Sequence, residues 1–195
     1  MIKILILGAY GQIARVATDL FLSGTEAHLT LYLRNAKRLK KIGHEGRVRV
    51  VEGDVLDAVA LRDAMRGQDV VYANLVGDMA WQARAIIDAM HAVGLKRLIF
   101  VSSMGIYGEV PGETYRSVLD PYRDSAAEIE KSNLDYTILR PGWFTRDKTV
   151  SYRITQKGEP FKGHDVSLDG LSDLITKLAT DPGLYLRCSI GVSSA

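Results

Sequence analysis

Short continuous apolar runs recur along the chain, and most are followed by a stretch whose apolar residues fall three and four positions apart. The first run, Ile2 to Leu7, shows no polar alternation and ends in Gly8, the pattern of a strand covered on both faces in a parallel sheet. Runs at Ala27–Leu33, Arg47–Val51, Asp69–Ala73, Arg97–Val101 and Tyr136–Leu139 predict further strands, with a short last one at Arg187–Val192. Between them, Gln12–Leu22, Ala58–Met65, Ala80–Val93 and Arg123–Ser132 read as helices, with Gly67 and Gly94 where C-caps are expected. A fifth helix is predicted over Asp169–Thr180, opened by Ser167 or Asp169 as N-cap and stopped by Asp181-Pro182-Gly183.

Strands alternating with helices of this length imply right-handed βαβ units, hence an α/β chain with a mostly parallel, doubly wound sheet of Rossmann type. At 195 residues the chain has room for one such domain, 1–195. Two stretches break the rhythm, 104–121 and 142–167. Both follow strands of the C-terminal half, where open α/β sheets place their ligand crevice, so both are candidate substrate-side loops.

Composition narrows the function. Hydrophobic residues make up 47% and charged residues 25%, an ordinary globular balance. The net charge is +2 with both signs interspersed, which argues against nucleic acid as a partner. The single cysteine, Cys188, has no internal disulfide partner, and the apolar run at residues 4–7 is too short for a signal core or a membrane span. A cytoplasmic protein is expected, acting on a small molecule without a membrane, with a protein partner or a homodimer open. His28, His44, His91 and His164 show no ligand spacing, so no metal site is expected, and no Gly-x-Ser-x-Gly elbow suggests a hydrolase.

The turn after the first strand carries the clearest chemistry. In Gly8-Ala9-Tyr10-Gly11-Gln12-Ile13-Ala14, Gly8 permits a tight turn, Gly11 lets backbone approach a pyrophosphate, and Ala14 keeps the helix close to the sheet. Unpaired N–H groups and the positive end of the helix dipole then face the anion, which needs no lysine. Gly8, Tyr10, Gly11, Gln12 and Ile13 are therefore candidate dinucleotide-binding residues. At the end of the second strand Leu33-Arg34-Asn35 holds no carboxylate for a ribose 2′-hydroxyl. Arg34, helped by Arg38, can take a 2′-phosphate through charge-assisted bonds of about 1.5–3 kcal/mol each. NADP is expected over NAD. Without a ligand, the same arginines would belong to a solvated helix start.

Gly8-x-x-Gly11-x-x-Ala14, Leu33-Arg34-Asn35, Gly53-Asp54-Val55, Val101-Ser102-Ser103-x-Gly105-x-Tyr107 and Leu134-Asp135-Tyr136-Thr137-Ile138-Leu139-Arg140-Pro141-Gly142 follow one another in order. With them the chain resembles the atypical short-chain dehydrogenase/reductases, in particular their NmrA-like and biliverdin-reductase-B-like NAD(P)-binding members. The resemblance runs over nearly the whole chain, including Val166 to Val192. It implies that Asp54 and Val55 sit beside the adenine, that the Asn74 turn passes the ribose, and that Ser102 or Ser103 and Pro141 border the nicotinamide. The residues alone also allow Asp54 to cap the following helix, Asn74 to fill a turn, and the serines to satisfy backbone groups at a strand end.

One departure bears on mechanism. Reductases of the larger family pair a tyrosine with a lysine four residues later, and none of the nine tyrosines here has one. Tyr122 falls about where that tyrosine is expected, yet Ala126 stands in the lysine position. An unperturbed phenol near pKa 10 exchanges protons poorly at neutral pH. Ser103 and Tyr122 are the catalytic candidates, with a role as pocket polar groups that transfer no proton as the alternative. Trp143, Phe144, Tyr152 and Phe161, among Arg146, Lys148, Arg153, Lys157 and Lys162, would wall a pocket for a planar or acidic substrate or form a small satellite core. The expected function is reduction of a small carbonyl, quinone or flavin-like acceptor by hydride from NADPH. The alternative is a non-catalytic NADP(H)-sensing regulator of NmrA-like type.

Overall fold

A computed structural model describes residues 1–39 and 46–195, so His44 lies outside the described residues. Its strands are β1 (Lys3–Leu7), β2 (His28–Leu33), β3 (Val48–Glu52), β4 (Val70–Ala73), β5 (Arg97–Val101), β6 (Asp135–Pro141), β7 (Trp143–Thr145), β8 (Tyr152–Gln156), β9 (Asp165–Ser167) and β10 (Cys188–Ser194). Its helices are α1 (Gln12–Gly24), α2 (Ala58–Met65), α3 (Met79–Val93), α4 (Asp120–Lys131) and α5 (Leu168–Thr180). Eight strands form one sheet in the order β3-β2-β1-β4-β5-β6-β10-β8, parallel except for β8, which runs antiparallel to β10. The order reverses at β1, where a crevice opens at the carboxyl ends of the strands.

β1 shows why the unbroken apolar runs are strands. Ile4 and Ile6 join one core layer, against α1 and α5, while Leu5 and Leu7 join the other, against α2, α3 and α4. Successive side chains of a strand point to opposite faces, so a strand with helices on both sides must be apolar at every position. All four side chains are fully buried, and each is worth about 1.5–3 kcal/mol relative to exposure. At the far end of α5, the buried Arg97 donates to Leu178 O, Leu184 O, Asp135 O and the Thr137 hydroxyl, tying the helix C-terminus to β5 and β6. Burial lowers its pKa to about 10.

The predicted sheet, helices and single domain are observed, and the differences are local. α4 begins at Asp120 rather than Arg123, because Pro121 is tolerated in a first helical turn. β6 runs on to Pro141, since Arg140, which reads as polar, is buried. The stretch 142–167 is not a loop. It holds β7 and β9, which pair with each other in parallel, and β8, which returns along the edge of the main sheet. The β7–β9 ribbon sits tightly, for a Cβ on Gly142 would lie 2.3 Å from His164 O.

Candidate functional site

The carboxyl ends of β1, β2, β3 and β4 open onto a cleft of about 530 Å³. Gly8, Tyr10, Gly11, Gln12, Ile13, Arg34, Asp54, Val55 and Asn74 all line it. Gly8 adopts φ +75°, which favours glycine, and its N–H donates to Tyr32 O at 3.0 Å. A Cβ on Gly8 would lie 2.1 Å from Asn74 O, and one on Gly11 would lie 2.1 Å from Asn74 Nδ2. The glycines thus admit the Asn74 turn from β4, and through it the close stacking of two strand ends. The space expected for a pyrophosphate at Gly11 is taken on that side by an amide.

The first turn of α1 is left open toward the cleft. No side chain caps it and it carries no acidic residue. Asp57 caps α2 by accepting from Val59 N and Ala60 N, and Ser167 caps α5 by accepting from Gly170 N, whereas α3 and α4, like α1, have no side-chain cap. An uncapped N-terminus keeps N–H groups and the positive dipole end available to an anion.

Beyond β2, Arg34 and Arg38 are exposed and both line the cleft. The Arg38 guanidinium lies 4.0 Å from the centre of the Tyr10 ring, and that of Arg15 lies 5.1 Å from it. Among the described residues none of these three arginines forms an ion pair. Asp54 is the one carboxylate lining the cleft among the described residues, and it already accepts from Leu56 N at 2.9 Å, closing the turn before α2.

Two wall residues, Tyr32 and Gln82, escaped the sequence reading. Tyr32 is fully buried and donates to Asp54 O at 2.8 Å, while its ring covers Gly53, where a Cβ would meet the hydroxyl at 2.3 Å. Gln82 on α3 donates to Val76 O at 3.1 Å and leaves a buried carbonyl oxygen, Oε1, with no partner among the described residues. Leu75 and Phe144 add apolar wall. These pieces meet only in three dimensions, and no spacing in the sequence marks them.

The cradle fits a dinucleotide. It offers open N–H groups, guanidinium groups with no ion pair among the described residues, apolar walls and an acceptor with no partner among them, suited to a donor from a ribose or a base. Among the described residues no group of three or more His, Cys, Asp or Glu side chains could hold a metal.

Ser102, Ser103, Tyr122 and Pro141 do not line this cleft. They gather at the next strand ends, where Ser102 N donates to Leu139 O and Met104 N to Pro141 O. The Ser102 hydroxyl reaches Tyr122 O at 3.4 Å and that of Ser103 reaches Met104 O at 3.1 Å, so the structure shows both satisfying backbone groups. Tyr122 packs half-buried against the α2–α4 layer.

Tyrosine–lysine contacts do exist in space. Lys177 Nζ lies 3.2 Å from the Tyr152 hydroxyl, and Lys157 Nζ lies 4.3 Å from the centre of the Tyr107 ring. Neither phenol is activated. Burial pushes both pKa values up, Lys177 is shared with Asp173 at 2.6 Å, and Tyr107 donates to Glu130 at 2.8 Å. The aromatic residues expected to wall one pocket are dispersed. Phe161 is buried, Tyr152 packs on the α1–α5 layer, Phe144 lines the cleft, and Trp143 is exposed beside His164 at a ring separation of 6.5 Å.

The segment 104–121 is fixed to the sheet by a buried ion pair. Arg140 of β6 bonds Glu109, with side chains 1% and 6% exposed. The same carboxylate accepts from Gly105 N at 3.0 Å and Tyr107 N at 2.9 Å. Both charges of this pair have their partners inside the protein.

A family profile described as NAD(P)H-binding matches residues 8–182. Among solved structures, the chain is 41% identical to a Rossmann-fold NAD(P)-binding family protein from Shigella flexneri, covering 100% of this chain and 94% of that one at a TM-score of 0.88. It is 32% identical to a short-chain dehydrogenase/reductase from Veillonella parvula DSM 2008 in complex with NADP, covering 99% and 94% at a TM-score of 0.90. Over 152 residues it is 25% identical to quinone oxidoreductase 2 of Escherichia coli K12, covering 76% of this chain and 51% of that protein. It thus spans about half the length of that curated relative. The atypical short-chain dehydrogenase/reductase resemblance fits these findings, and the chain belongs to the NAD(P)H-binding, oxidoreductase-like family of Rossmann-type proteins.

Proposed function

We propose that the protein is an NADPH-dependent reductase of a small planar acceptor, a quinone, a flavin-like ring or a carbonyl. The observation that carries this reading is the pair of arginines at the end of β2 with no ion pair among the described residues, in a cleft whose described lining carboxylate is already engaged. The complex of the Veillonella relative with NADP and the activity named for the E. coli relative support it.

In this reading α1's open first turn holds the pyrophosphate and Arg34 the 2′-phosphate. Asp54 and Val55 flank the adenine, Asn74 meets the ribose, and Ser102, Ser103 and Pro141 border the nicotinamide. Bound NADPH supplies the hydride. The residues nearest the acceptor orient it and leave proton delivery to solvent, because burial raises rather than lowers the phenols of Tyr107 and Tyr152, the two tyrosines that meet a lysine. Acceptors that form stable reduced anions suffer least from this. Ser103 and Tyr122 bond the acceptor rather than transfer its proton.

The satisfied polar groups around Ser103 also favour a second reading, a sensor that binds NADP(H) without turnover. Following NADPH absorbance with quinone and flavin acceptors separates the two: oxidation supports the reductase, and silence with all acceptors despite tight binding supports the sensor. Arg34→Ala should weaken NADPH by about ten- to a hundredfold, the equivalent of one charge-assisted bond, and leave NADH nearly unchanged. Equal loss for both dinucleotides would remove the NADP assignment.

A further inference from the structure

Tyr10 is an odd residue for a turn built on small side chains. Its ring does not fill core. It lies at the cleft wall, with a guanidinium from α1 and another from the turn after β2 drawn to it. We propose that Tyr10 is a specificity-determining residue of the cofactor site, a platform that holds Arg15 and Arg38 beside Arg34 and so selects a phosphomonoester on the adenosine ribose. This rests on the NADPH reading and adds to it the device that prepares the site.

Three features support the platform. Arg38 is held from its backbone as well, since its N–H donates to Asn35 O at 3.2 Å and the Glu52 side chain accepts from Ala36 N at 2.8 Å. The only described role of that carboxylate is thus to shape the turn carrying Arg38. Second, the two guanidiniums share one ring without a carboxylate among the described residues to offset them. A phosphate dianion that accepts bonds from these guanidiniums supplies the missing counter-charge. Third, an arginine free in solvent loses much rotamer freedom when it clamps a ligand, whereas one already attracted to a ring face has given up part of that freedom beforehand. Arg34 has no such restraint among the described residues, so Arg15 and Arg38 supply the fixed part of the anion site.

Calorimetric titration of the full chain tests the platform, using NADPH, NADH, adenosine 2′,5′-bisphosphate and AMP. Tyr10→Leu keeps the bulk and removes the ring charge distribution. It should bind NADPH and the bisphosphate about five- to tenfold more weakly while NADH and AMP hold their affinity, which also shows that the turn is folded. Tyr10→Phe should behave as the wild type. The proposal fails if Tyr10→Leu weakens both dinucleotides equally, because the ring is then only part of the turn. It fails too if NADPH binding tightens, because the ring then withholds the arginines. A wild-type protein with no preference for NADPH would overturn the NADPH reading itself and the platform with it. A preference lost in Arg34→Ala but kept in Tyr10→Leu would sink the platform alone.

Discussion

The two ends of the crevice treat their polar groups in opposite ways. Over β1, β2 and β4, polar capacity is left unmet: α1 has no cap, the arginines around Tyr10 have no ion-pair partner among the described residues, and Gln82 Oε1 accepts nothing from them. Over β5 and β6 the polar groups are consumed internally, with Glu109 on Arg140 and on two backbone N–H groups, and Ser102 and Ser103 on carbonyls. Unmet capacity in a cleft wall is available to a ligand. Met capacity holds the wall itself in shape. The first end is therefore built to receive a charged ligand, and the second to offer a shaped surface with little chemistry of its own.

Breaking the satisfied end should do the most damage. Glu109→Ala leaves Arg140 charged and buried, and chemical denaturation should show a loss of about 3–5 kcal/mol. NADPH affinity measured under native conditions should stay within about twofold, since the sites share no partner. Large losses in both would mean that the two ends are one unit. Next comes the glycine turn. Gly11→Ala should lose about 1–3 kcal/mol through overpacking on Asn74 and should bind dinucleotide poorly. If Asn74 packing is the reason, adding Asn74→Ala should restore much of the stability; no recovery would return Gly11 to the role of a ligand contact alone.

The smallest effect concerns Tyr32, whose phenol is pushed up to about 12, first by burial and then by the charges of Asp57 and Asp54. Its folded pKa lies above the value near 10 of an unfolded chain. The associated stability is thus fully present below pH 10 and lost as pH rises toward 12. Tyr32→Phe, lacking the bond to Asp54 O, should be about 1 kcal/mol less stable at neutral pH and should show a shallower alkaline decline in thermal unfolding. Identical alkaline declines would assign the effect to other tyrosines.

The same contrast explains what could be read from the chain. The cofactor end was legible because its signal is local: a glycine turn of seven residues between a strand and a helix, and an arginine directly after the next strand. The end over β5 and β6 was not, because its ion pair spans 31 residues between Glu109 and Arg140, and elsewhere the Tyr152–Lys177 contact spans 25. A search for lysine four positions after tyrosine cannot see such pairs. β7 and β9 were missed for a related reason: three residues each are too few for any periodicity, and their pairing joins segments 22 positions apart in register. Tyr32 read simply as an apolar strand residue, and nothing along the chain tells that its hydroxyl would meet the backbone at Asp54.

The place of β10 in the sheet has a consequence for how the protein is made. Although it follows every other strand in sequence, it lies inside the sheet, parallel to β6 and antiparallel to β8. While a ribosome is still delivering residues 188–194, β6 has one exposed edge and β8 has no partner in the main sheet. The β3-to-β6 portion can fold early from contacts close in sequence. The remainder must wait, with open hydrogen-bonding edges, for β10 to arrive. That interval, more than the finished structure, is where the chain is most exposed to mispairing with its neighbours.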